Sequence, residues 1–142
     1  MEALGVVANV IAVVDLSFKL GVLCGDYVNK ARNAKDDIQK LKAESVALSR
    51  NISQVKDLLD GENISQRRQL VASEKFRGDV KQCEQVLQKL LTKLDPKSNP
   101  SRLRVISESL KWPLTSKEVE RTIIDLQGWR QSFASAMQVD HL

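Results

Sequence analysis

Two cysteines and one histidine in 142 residues leave little for metal or redox chemistry. Cys24 and Cys83 lie far apart with no ligand spacing, and His141 sits beside the end, so one chain cannot assemble a zinc site. Both cysteines are expected to be buried free thiols in a reducing cytosol. Aromatics make up 4% of the chain, with six glycines and three prolines, which argues against a sheet-built fold. No glycine-rich phosphate loop is present: Gly61 and Gly78 stand alone. The serines, Ser17, Ser45 and Ser49 among them, have no internal histidine to activate them. Asp36 with Asp37, and Glu118 with Glu120, read as exposed helix-start charges rather than acid–base pairs. Neither an enzyme nor a cofactor is expected.

Charge excludes less. The net charge is +4, and residues 1–60 balance with eight basic and eight acidic side chains, so the excess lies in 61–142. Arg67, Arg68, Lys97, Arg102, Arg104 and Lys111 carry much of it. Aromatics are not interleaved with these charges and no recognition motif accompanies them, so a nucleic-acid partner is not expected. Solvated loop charge is the plainer reading. Arg67, Arg68, Lys97, Arg102 and Arg104 remain candidates for contact with anionic lipid headgroups.

What the chain has in quantity is apolar sequence at its start, MEALGVVANVIAVVDLSFKLGVLCGDYVNK. From Ala3 to Cys24 the only formal charges are Asp15 and Lys19. As a helix those residues run about 33 Å, close to the hydrocarbon thickness of a bilayer. A signal peptide is disfavoured because Glu2 replaces the basic start and no small-residue cleavage site follows. A permanent anchor is disfavoured because Asp15 would sit near mid-bilayer, at about 3 kcal/mol. The segment therefore reads as a core helix of a cytoplasmic domain, or as one that such a domain releases. Its polar residues Glu2, Asn9, Asp15, Lys19, Asp26 and Lys30 fall in one narrow stripe, with Asp15 and Lys19 a favourable i,i+4 pair. Gly5, Ala8 and Ala12 form a thin side, a seam for a helix in the soluble fold or in a membrane.

The remaining chain is patterned for helices at residues 35–60, 69–94, 102–110 and 115–139. In the second helix Ile38, Leu41, Ser45, Leu48, Ile52, Val55 and Leu59 recur at steps of three or four, and Gly61 stops it. Residues 61–68 read as a polar loop, and Gly78 as a kink or late start in the third helix. Two prolines in residues 95–101 end that helix, and a short one follows with Pro100 at its first position. Thr115 and Glu118 form a capping box for the last helix, and Trp112 and Trp129 are expected in the core. The fold class expected is all-α: one domain over 1–142, an up-and-down bundle of four long helices plus one short, with the apolar first helix central.

Two blocks carry a resemblance. The opening MEALGVVANVIAVVDLSFKL and, some ninety residues on, LKWPLTSKEVERTIIDLQGW, with the closing AMQVD of Ala136 to Asp140, together resemble the fungal HeLo-like domain. That domain stands at the N-terminus of NOD-like receptor, ankyrin-repeat and amyloid-controlled cell-death proteins. Asn9 departs from the pattern, where the family more often has a small residue. The resemblance implies a bundle that is the N-terminal part of a larger protein with a downstream regulatory domain. It further implies self-association into oligomers, relocation from cytoplasm to plasma membrane, and membrane permeabilisation by the exposed first helix in programmed cell death and innate immunity. In that mechanism Leu4, Val6, Val7, Val10, Ile11, Val13, Val14 and Phe18 would meet lipid or neighbouring helices, and Glu2, Asn9, Asp15 and Lys19 would face a watery lumen. The alternative is a soluble adaptor or oligomerisation module that signals through protein–protein contacts and never releases its first helix.

Overall fold

The computed structural model describes residues 2–31, 33–95 and 111–138, with side chains described from Gly5 onward. These residues form five helices: α1 (Glu2–Lys30), α2 (Lys35–Asp60), α3 (Ile64–Ala72), α4 (Glu74–Leu94) and α5 (Ser116–Gln138). Four are long and one is short, so the all-α bundle expected from the sequence is the architecture found. The short helix is α3; residues 102–110, where the short helix was expected, lie outside the described residues.

Each long helix buries one stripe. In α1 this is Val6, Val10, Val13, Ser17, Leu20, Cys24 and Tyr27, continued by Ala31, at alternating steps of three and four. That spacing keeps one face on its neighbours along the whole helix. Among the described residues Ser17 and Ser45 are the buried polar ones, and each donates its hydroxyl within its own helix, to Val14 O at 3.1 Å and Leu41 O at 2.8 Å. Small and internally satisfied, they allow α1 and α2 to close without an unpaired polar group.

α1 packs on α2 and α4, and α5 packs on the same two, so α1 and α5 stand at opposite corners of a square. The first helix, expected to be central, packs on α2 and α4, touches α3 and turns its remaining side to solvent. Helix directions alternate along the chain. The step from α2 to α4 crosses the diagonal, and α3 makes that crossing while touching all four long helices.

Capping explains the boundaries. Residues 61–68 are not all loop: Asn63 accepts from the Gln66 N–H at 3.0 Å and starts α3. The expected third helix is broken at Ser73 rather than Gly78. Ser73 is extended, and its hydroxyl accepts from the Phe76 N–H at 3.2 Å, so one residue ends α3 and caps α4. Arg77 seals the junction by donating to Val71 O at 2.6 Å. At α5 the capping box is present, Glu118 N–H to Thr115 Oγ1 at 3.1 Å and Thr115 N–H to Glu118 Oε2 at 3.4 Å. Between α1 and α2, Ala34 takes a left-handed conformation (φ 62°) that disfavours any residue with a Cβ, which marks this turn as tight.

Candidate functional site

The chemistry of α1 divides it lengthwise. Val6, Val10 and Val13 are buried in the core, while Val7 and Val14 are half-buried against it. Ile11 and Phe18 lie on the outer side, 47% and 64% exposed, and Val22 extends the same stripe at 52%. The apolar residues expected to meet lipid therefore do not share a face, since three of them hold the bundle shut. Of the expected polar stripe, Asn9 is half-buried, and Asp15 and Lys19 are exposed and paired at 2.9 Å. The side chains of Glu2 and Leu4 lie outside those described.

Of the headgroup candidates, Arg67 is half-buried and Arg68 exposed, both on α3. Lys97, Arg102 and Arg104 lie outside the described residues. The thin side of Gly5 and Ala8 is not a packing seam, for both are exposed and a Cβ at Gly5 would meet nothing within 4 Å. Gly21 and Gly25 take that role instead. A Cβ at Gly21 would stand 3.7 Å from Val46 Cγ2 and 4.0 Å from Ser45 Cβ, and one at Gly25 would stand 3.7 Å from Lys42 Nζ. The two glycines flatten α1 where α2 crosses it, and a shallow groove of about 460 Å³ opens beside them. Phe18, Val22, Val46, Lys42 and Arg50 line it. The signal for it in the sequence is the i,i+4,i+8 repeat of Lys42, Val46 and Arg50, on the α2 face that reads simply as solvated.

The forces that hold α1 differ from those that hold α5. Among the described side chains of α1, Tyr27 is the only one hydrogen-bonded to another helix, donating to Leu94 O at 2.5 Å. Its ring meets Trp112 edge-on at 4.9 Å, which places Trp112 in the core as expected. Among the described side chains the other buried residues of α1 that meet the bundle are apolar, apart from Ser17, which bonds within its own helix. By contrast, α5 is tied to both neighbours by polar bonds. Arg130 forks onto both carboxylate oxygens of Glu44, at 3.2 and 3.1 Å, while Gln127 also donates to Glu44 at 2.9 Å. Ser116 donates to Asp37 at 2.6 Å, Lys93 pairs with Glu118 at 3.1 Å, and Ser132 joins Lys75 and Asp79.

Both cysteines are buried free thiols, Cys24 facing inward from α1 and Cys83 from α4. Burial pushes each up to about 12; for Cys24 the Lys42 charge opposes the shift, and for Cys83 Asp79 and Glu84 add to it. At neutral pH both are unreactive thiols. Among the described residues no cluster of three or more His, Cys, Asp or Glu converges to hold a metal ion. Set against known proteins, the chain matches no family model, no curated protein and no solved structure.

Proposed function

We propose that this chain is a membrane-permeabilising execution domain of the HeLo-like kind, in which oligomerisation releases α1 from its corner and inserts it into a bilayer. The observation that carries the reading is that α1 has the length and apolarity to span a membrane, yet 33% of the residues in its most apolar window are fully buried and Ile11, Phe18 and Val22 stand exposed. A core helix of a soluble protein that is this apolar is ordinarily covered on most sides. Here the cover is partial and almost wholly apolar. Lipid tails replace apolar contacts at little loss, whereas they cannot replace hydrogen bonds. Of the four long helices α1 is thus a suitable one to exchange protein neighbours for lipid.

Inserted singly, Asp15 and Lys19 would cost about 3 kcal/mol each at mid-bilayer. In an oligomer Asp15, which shares the outer side of α1 with Ile11, Phe18 and Val22, is neutralised by Lys19 at the edge of that side, where the pair can border a watery lumen, and Val6, Val10 and Val13 pack between copies. The second reading, a soluble adaptor, draws support from the unbroken inner stripe from Val6 to Ala31, which gives α1 a complete reason to stay.

Dye release from anionic vesicles separates the two. The full chain is forced to oligomerise through a fused multimeriser and compared with Ile11→Asp. Ile11 is exposed, so the charge leaves the core intact, unlike one at the fully buried Val10. Leakage by the parent and loss of leakage in a folded Ile11→Asp is the expected result. Equal leakage by both, or none by the parent, removes the insertion reading.

A further inference from the structure

We infer that the folded bundle has a docking face for anionic bilayers, built from the outer sides of α1 and α2, which works before any helix leaves the core. The inference rests on the membrane reading for its partner but does not need α1 to insert. Phe18 and Val22 on α1 and Val46 on α2 form an exposed apolar ridge, with Ile11 two turns before Phe18 on the same side. Lys42 and Arg50 stand one turn either side of Val46 and line the same groove as the ridge. Among the described residues neither cation has an ion-pair partner, whereas the nearby Asp15 and Glu44 are already held by Lys19 and Arg130. Asp26, a turn beyond Val22, pairs with neither cation. The face therefore carries uncompensated positive charge beside apolar side chains, the combination that favours anionic headgroups over acyl chains.

The area argues for a bilayer over a second protein. The exposed parts of Ile11, Phe18, Val22 and Val46 amount to something on the order of 350 Å², against about 800 Å² that each side of a stable complex buries. A lipid surface requires no matching shape, and Phe18, the most exposed of the four, can enter it alone. The rival basic surface, Arg67 and Arg68 on α3, has one exposed large apolar neighbour among the described residues, Ile64.

The test is co-sedimentation of the full chain with vesicles of phosphatidylcholine alone or mixed with phosphatidylserine, with dye release read from the same samples. Three variants are compared, each changed only at exposed or half-buried surface positions and checked by circular dichroism: Phe18→Ser with Val22→Ser, Lys42→Gln with Arg50→Gln, and Arg67→Gln with Arg68→Gln. The parent is expected to prefer the serine lipid. The first variant should lose about tenfold in binding to it. The second should lose about fivefold for each cation removed, and this difference should shrink in high salt. The α3 variant should bind as the parent does. Binding without dye release upholds the docking face and removes only the insertion reading. Three results overturn the docking face: a parent that does not sediment with serine-lipid vesicles, a loss confined to the α3 variant, or a parent dimer that Phe18→Ser with Val22→Ser converts to monomer without changing vesicle binding.

Discussion

The two corner helices, α1 and α5, share the same neighbours and are held to them by opposite means. α5 places Ser116, Glu118, Gln127, Arg130 and Ser132 in polar bonds to α2 and α4. α1 places valines, Leu20 and Cys24 against the same helices, with one described side chain, Tyr27 near its end, hydrogen-bonded to another helix. Hydrogen bonds fix register and direction, and at the half-buried Arg130–Glu44 and Ser132–Asp79 ties breaking one leaves a polar group short of its partner. Apolar contact fixes neither and is transferable to any apolar partner. A bundle built this way has one corner that is bolted and one that is only covered. The difference is the ground on which α1 is proposed as the element that moves.

Five changes probe that contrast. The largest effect is expected at Tyr27, where α1's inter-helix hydrogen bond and ring contact coincide: Tyr27→Ala should destabilise the fold by about 4 kcal/mol, read from urea unfolding. Tyr27→Phe keeps the ring and should cost only about 1 kcal/mol. On the bolted side, Glu44→Ala strands the half-buried Arg130 guanidinium and should cost about 2 kcal/mol by the same measurement. If it costs nothing, the polar seam is ornament and the contrast fails.

The thiols give a pH test of how well the two helices that carry them are closed. The native thiols hold their protons up to about 12, while in the unfolded chain they titrate at 9.0. Between those values the unfolded state binds fewer protons, so stability is flat below pH 9 and falls above it. The slope is about 1.4 kcal/mol per pH unit for each thiol, and Cys24→Ala with Cys83→Ala should remove that part. The smallest effect belongs to the outer side of α1: Phe18→Ser should change stability by less than about 0.5 kcal/mol. A large loss there would mean that Phe18 packs in the core.

The sequence was most legible where a pattern has one physical reading. The stripe from Ile38 to Leu59, the stop at Gly61 and the capping box of Thr115 and Glu118 all stand as the spacing predicts. Asn63 and Ser73 were less so, because Asn and Ser read equally as loop residues or caps until the next N–H groups are seen to bind them. The outer side of α1 was less legible. An apolar run of that length implies burial, but whether a helix is surrounded or merely covered depends on how many neighbours reach it, and no local pattern records that. For the same reason the groove escaped notice, since Phe18 and Val22 meet Val46 and Lys42 only when Gly21 and Gly25 let α2 approach. The polar ties of α5 join residues from 25 to 86 positions apart, and pairings at such distances leave no periodic trace.

The most direct test of the central claim, that α1 must leave its corner to act, is a reversible clamp between α1 and α2. A Cβ at position 21 stands 4.0 Å from that of residue 45, inside the span of about 3.5–4.5 Å that a disulfide bridges, so Gly21→Cys with Ser45→Cys can join the helices without moving them. The buried Cys24 and Cys83, pushed up to about 12, are poor competitors at neutral pH. Vesicle dye release by the multimerised chain is then measured before and after reduction. The account predicts silence while the bridge is closed and leakage once it is reduced. Equal leakage with the bridge fully formed would contradict it.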